Sequence, residues 1–156
     1  MTIRSYEHGD HDSIAEIFSR AIHEIAIEDY TREQCEAWAS PKPNPEHWEA
    51  RCGIKRPFVA KVDRRIAGFL ELDPDGHIDC AYVNPDFKRR GVMTALVRHA
   101  VLVGSERAIG SLCVEASLCI KPLFEKLGFV TQCRREVEIR GQCLTNFEMI
   151  LNLSSA

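Results

Sequence analysis

Residues 84–97 read NPDFKRRGVMTALV, and here residue type and spacing most directly suggest chemistry. Three cations, Lys88, Arg89 and Arg90, stand in a row before a lone Gly91. An apolar run with helical spacing follows through Val92, Ala95 and Leu96. The first amides of a helix have no partner within it and carry the positive end of its dipole, which suits a phosphate. Gly91 removes a side chain where a ligand has to approach the backbone closely. A strand running straight into such a turn can hold a pyrophosphate. The competing reading is a solvated basic turn ahead of an ordinary helix, because a single glycine is a weak signal. Neither GxxxxGKS/T nor GxGxxG is present.

Two carboxylates precede this turn, Glu71 in IAGFLEL and Asp79 in HIDCAYV. Period-two counting places Asp79 on one face with His77, Ala81 and Val83, opposite Ile78 and Cys80. An acid inside an apolar strand is costly unless it is paired or put to use. Glu71 alternates with Leu70 and Leu72 and reads as facing solvent. Seven cysteines at 35, 52, 80, 113, 119, 133 and 143 show no CxxC and no Cys/His ligand spacing. They read as reduced, mostly buried thiols of a cytoplasmic protein, with no metal expected.

The elements that must position these residues are legible. Residues 2–6 form a strand candidate, and Asp10 is a candidate N-cap for a helix with Ile14, Ile17, Phe18, Ala21, Ile22 and Ile25 at helical spacing. Thr31 and Gln34 fit a capping box for a second helix through Trp38. SPKPNP forbids regular structure, and Asn44-Pro45 opens a short helix containing Trp48. Strands are then expected at residues 57–62, 66–72 and 77–83, with turns at Asp63-Arg64-Arg65 and at DPDG. A helix over residues 91–103 follows, then a strand at 112–115. Ser117 is expected to cap a helix over 118–127 that stops at Gly128, and a hairpin turning at Arg140-Gly141 closes the chain. This order predicts an α/β (α+β) layer fold, helices packed on a mixed sheet, and a single domain over residues 1–156.

Composition sets outer bounds. The formal charge is −3 and there is no global basic excess, which argues against a nucleic-acid partner. No apolar run approaches the roughly 20 residues of a membrane span, and MTIRSYEHGD carries no signal core, so no membrane partner is expected.

Two segments carry a family resemblance. HIDCAYVNPDFKRRGVMTALV resembles the acetyl-CoA-binding motif of the GNAT N-acetyltransferase superfamily, a strand feeding an R/Q-x-x-G-x-G/A loop and a helix. ASLCIKPLFEKLGFV is similar to the family's N-x-x-A-x-x-L/F-Y-x-K-x-G-F helix. The order of elements fits along nearly the whole chain, most specifically over residues 58–130. Four positions depart from the pattern. Lys88 stands where Gln or Arg is usual, Met93 where a small residue is usual, Ser117 where Asn is common, and Phe124 where a Tyr often protonates the departing thiolate.

The resemblance implies a mostly antiparallel sheet of six to seven strands flanked by helices. It implies direct acetyl transfer from acetyl-CoA, as co-substrate, to a primary amine of a small molecule or peptide. Lys88, Arg89, Arg90, Gly91, Val92, Met93 and Thr94 would hold the pyrophosphate, with Ser117 nearby. Ala81, Tyr82 and Val83 would bond the pantetheine as an added strand, and one of their amides, Tyr82 among them, would face the thioester oxygen. The strand carrying them and the next would splay apart. Asp79 and Glu71 are the candidate bases, directly or through water; Cys119 is a candidate acid near the thiolate, against the commoner reading of a buried, inert thiol. His23, Tyr30 and Trp38, with Trp48, would line an acceptor pocket, against the alternative that each is core. Phe124 motivates a second reading, a CoA-binding sensor without turnover. A homodimer through the C-terminal hairpin is compatible with its exposed edge.

Overall fold

The computed structural model describes residues 1–153. Seven strands form one sheet in the order β1-β2-β3-β4-β5-β7-β6, where β1 is Thr2–Ser5, β2 Phe58–Val62, β3 Arg65–Leu72, β4 His77–Val83, β5 Ser111–Ser117, β6 Val130–Ile139 and β7 Gln142–Asn152. Every neighbouring pair is antiparallel except β4 and β5. The helices are α1 His11–Arg20, α2 Arg32–Trp38, α3 Pro45–Lys55, α4 Val92–Glu106 and α5 Lys121–Lys126. The mixed, mostly antiparallel sheet flanked by helices is the architecture expected from the sequence.

Each face of the sheet has its own core. Val92, Leu96, Val97 and Ala100 of α4 and Phe124 of α5 pack with Leu70, Ile78 and Leu112 of the strands. On the other face Ile14 and Ile17 of α1 and Trp48 and Cys52 of α3 pack with Val59 and Phe69. Gly68 lets α4 lie close to β3: a side chain there would meet Val92 at 2.9 Å and the Tyr82 carbonyl at 3.0 Å. That contact sets the height at which α4 begins above the end of β4.

Local chemistry explains most boundaries. Thr31 and Gln34 make the reciprocal capping box that starts α2, and Asn44 accepts from the amides of Glu46 and His47 to start α3 at Pro45. Two expected caps are corrected. Asp10 makes no cap bond to α1; its carboxylate instead accepts from the Glu7 amide and the Arg4 guanidinium. Ser117 does not cap α5, which begins only at Lys121, and its hydroxyl lies 3.0 Å from the Cys119 thiol. After Arg20, α1 does not simply end. It widens into a π-turn over Ala21–Ile25 and a 3-10 turn over Ala26–Glu28.

The period-two reading of β4 also needs correction. Leu70 pairs with Ala81 but Leu72 pairs with Ile78, so Asp79 and Cys80 together oppose Glu71. This β-bulge shifts the alternation by one residue. Ile78, Ala81 and Val83 therefore share the α4 face, while Cys80 and Tyr82 turn toward α1 and α3. Glu71, expected to face solvent, is fully buried under Arg51 of α3. β6 is an edge of the sheet and carries Arg134, Arg135, Glu136 and Glu138, charges that blunt an open edge.

Candidate active site

The parallel pairing of β4 with β5 lasts for two registers, His77 with Cys113 and Ile78 with Val114. The bulge begins at the next residue, and the strands part. Beyond it, among the described residues, β5 pairs only with β7, so the edge of β4 over residues 79–83 faces a gap with no strand partner there. A cavity of about 390 Å³ occupies the opening. Ala81, Tyr82 and Val83 line one wall, and Glu115, Ala116 and Ser117 the other. Unsatisfied strand groups at the edge of a cavity are available to an extended ligand.

The cationic turn closes the far end. Arg89 and Gly91 both adopt the left-handed conformation, at φ 63° and 75°. Asn84 organises the approach: its side-chain oxygen accepts from Asp86 and its amide donates to the Ile66 carbonyl. The first bond of α4 runs from the Ala95 amide to the Gly91 carbonyl at 3.0 Å. Among the described residues the amides of 89–94 find no acceptor in the protein. A side chain at Gly91 would meet nothing within 4 Å, so that space is open. Lys88, Arg89, Gly91, Val92, Met93 and Thr94 all line the cavity. Arg90 does not; its guanidinium lies over the Phe87 ring at 5.4 Å. Successive bare amides at a helix start form an anion nest, so these residues fit a pyrophosphate.

A chain of charges runs beneath the fork. Arg51 grips Glu71 with two bonds of 2.8 and 2.7 Å and reaches Asp79 at 3.1 Å. Lys55 joins Asp79 at 2.7 Å to Asp73 at 2.9 Å. His77 lies 3.3 Å from Asp73 and 2.9 Å from Glu115. Burial alone would raise the Asp79 carboxyl, but the Lys55 hydrogen bond and the Arg51 charge outweigh it and hold it below the usual carboxylate range. Burial likewise opposes a charged His77, yet Glu115 and Asp73 raise its pKa above the ordinary histidine value. Asp79 lines the cavity and Glu71 does not. Glu115, on the opposite wall, was not anticipated; only the parallel register that puts β5 beside β4 brings it to the fork.

At the other end Trp38 lines the cavity, while His23 and Tyr30 stand behind the wall. The Tyr30 hydroxyl donates to the Thr145 carbonyl at 2.6 Å and accepts from the Leu118 amide at 2.9 Å. His23 donates to the Ala39 carbonyl at 2.7 Å. Trp48 is buried against Phe18 and Phe69 in the core. The π-turn instead supplies Ala21 and Ile25 to the lining, and Ala26 follows. A π-turn inside a helix is a known signature of functional sites, but helical periodicity in the sequence hides it. Cys119 lines the cavity, and burial pushes its thiol up. Phe124 is fully buried and touches the same space.

Comparisons with known proteins agree with this geometry. The family model described as an acetyltransferase (GNAT) domain matches residues 26–151. The uncharacterized N-acetyltransferase YafP of Escherichia coli (strain K12) is 35% identical over 149 residues, covering 96% of this chain and 94% of that protein. A GCN5-related N-acetyltransferase from Rhodopseudomonas palustris superposes with a TM-score of 0.90 at 32% identity, covering 97% of this chain and 94% of that one. The yncA protein of Salmonella typhimurium, solved with its cofactor acetyl-CoA, shares the fold at TM-score 0.77 and 16% identity, over 99% and 95% of the two chains. A forked β4/β5 opening, a bare helix start behind it and these matches lead to one conclusion: the chain belongs to the GNAT superfamily and is an acetyl-CoA-dependent N-acetyltransferase.

Proposed function

We propose that residues 1–156 act as one catalytic unit that transfers acetyl directly from acetyl-CoA to a primary amine of a small molecule or peptide. The observation that carries this reading is the unpaired edge of β4 ending at the bare amides of residues 89–94. Those amides, with Lys88 and Arg89, take the pyrophosphate. The backbone of Ala81, Tyr82 and Val83 takes the pantetheine, and a β4 amide faces the thioester oxygen where charge develops. The amine nitrogen attacks the carbonyl carbon, the carbon–sulfur bond breaks, and an acetamide and CoA thiol result.

The nitrogen loses two protons in becoming an acetamide. The alkylammonium loses the first, and Asp79 is its acceptor through water and passes it to solvent, since it is the candidate base that lines the cavity. Glu71 is a positioning residue that holds Arg51 against Asp79. The CoA thiolate must gain a proton, and Phe124 has none to give. Cys119 takes that role and regains its proton, through water, from the nitrogen as the tetrahedral intermediate collapses; its thiol lines the cavity, contacts Ser117 at 3.0 Å and stays protonated at neutral pH. Trp38, Ala21 and Ile25 give the acceptor end an apolar wall. All seven cysteines are free thiols, which supports a reducing, cytoplasmic setting. Among the described residues no helix is long and apolar enough to cross a membrane.

The test is calorimetric titration with acetyl-CoA, CoA and pyrophosphate, followed by an amine panel read by product mass. Acetylated product with stoichiometric CoA release supports the reading. Tight binding without turnover on any amine would favour the sensor module.

A further inference from the structure

The turn ahead of α1 carries a second cluster, none of whose members lines the acyl cavity. In HGDH, His8 and His11 are three residues apart, and Glu49 of α3 faces both. The turn is braced before any ligand arrives: the Asp10 carboxylate accepts from the Glu7 amide at 2.8 Å and from the Arg4 guanidinium at 2.7 and 3.1 Å. α3 is fixed beside α1 because Trp48 and Cys52 share a core with Ile14 and Ala15. The backbone that carries Glu49 is therefore held beside the turn, and its carboxylate lies between two imidazoles.

The spacing is that of a coordination shell. Glu49 Oε2 lies 3.4 Å from His11 Nε2 and 3.5 Å from His8 Nε2. The ligand atoms all lie within 4.8 Å of one another. A tetrahedral ion with bonds of roughly 2.0–2.1 Å separates its ligand atoms by about 3.3 Å. An outer partner is also present. The buried Tyr6 hydroxyl lies 3.3 Å from His11 Nδ1, which orients the ring with Nε2 toward Glu49. Two imidazoles and one carboxylate select zinc-class ions over calcium or magnesium, which prefer all-oxygen shells. We propose that His8, His11 and Glu49 form a binding site for a zinc-class divalent ion, with the fourth position open to solvent and within reach of Asp12. Asp12 Oδ1 is 3.7 Å from His11 Nε2. The bound ion would clamp the turn ahead of α1 to α3.

The test uses the whole chain with the exposed thiols Cys133 and Cys143 replaced by serine, so that surface cysteines do not compete. Cobalt(II) is the probe. One ion per chain is expected, with visible ligand-field bands and no thiolate-to-cobalt charge transfer in the near ultraviolet; zinc should displace it and raise Tm. His8→Ala and Glu49→Gln, both at exposed positions, should each weaken binding by about tenfold or more and reduce the zinc-dependent rise in Tm. The proposal is overturned by unchanged affinity in both variants, by a thiolate charge-transfer band, or by no binding at about 0.1 mM ion.

Discussion

Gly91→Glu should separate cofactor binding from folding. Gly91 sits at φ 75°, and a β-carbon there meets nothing within 4 Å. The folding cost is therefore backbone strain, about 1–2 kcal/mol for an L-residue in the left-handed region, partly offset by about 0.3–1 kcal/mol from a carboxylate at a helix start. In a domain of this size the net cost lowers Tm by at most roughly 7 °C. The binding cost is larger. A carboxylate about 5 Å from one pyrophosphate charge, at an effective dielectric near 20, is repelled by about 3 kcal/mol. Acetyl-CoA affinity should fall on the order of 100-fold or more. Gly91→Ala shares the strain without the charge and should lose less affinity than Gly91→Glu. The assay is calorimetric titration of all three proteins, with thermal melts alongside. Wild-type affinity in a folded Gly91→Glu protein would refute the pyrophosphate assignment.

Arg51→Met leaves fully buried Glu71 without its partner, and a loss of about 3–5 kcal/mol is expected in urea unfolding. Arg51→Met with Glu71→Leu should recover much of it; equal losses in the single and double variants would disprove the pairing argument. Because the folded pKa of His77 is raised, its stabilisation is complete below about pH 6.5 and is lost as pH rises through the folded value. His77→Gln should flatten that part of the stability profile, measured as denaturation midpoints from pH 6 to 9. Asp79 remains ionised through the neutral range, so its own contribution to stability is present above about pH 3.9 and lost below, as pH falls through the lowered folded value. In catalysis Asp79→Asn should cost roughly 10²-fold near pH 7, with the gap closing as pH approaches the amine's own pKa. An unaltered pH–rate profile removes Asp79 from the mechanism. Cys119→Ala should lower kcat by roughly 10²-fold while leaving acetyl-CoA affinity in place; an unchanged kcat would return the thiolate proton to water.

The elements were legible in the sequence where their cause is local. The capping box at Thr31, the proline start of α3 at Asn44-Pro45 and the boundaries of β4 depend on neighbours in the chain. The turn at residues 88–91 was legible for the same reason, since a glycine and three cations ahead of an apolar helical run state their own chemistry. Failures came where the cause was distant. Ser117 had the right type for a cap, but its hydroxyl pairs with the Cys119 thiol while α5 begins beyond it. Tyr30 and His23 were of the right type for a pocket, yet the backbone carbonyls of Thr145 and Ala39 claim them.

The sequence by itself determined the order of elements, the basic nest at the start of α4 and the family, because these are written in short-range patterns. Only the tertiary structure decided which carboxylate meets the cavity. The bulge at Asp79 and Cys80 shifts the alternation of β4 by one residue, so a count by twos assigns the wrong faces. α3 then brings Arg51 and Lys55 from far along the chain and settles which acids are paired. The parallel register adds Glu115 and stops after Val114, and that stop creates the opening. Periodicity describes a strand only while its pairing is regular. The candidate site sits where that pairing fails, and the failure depends on contacts between segments that the linear sequence keeps apart.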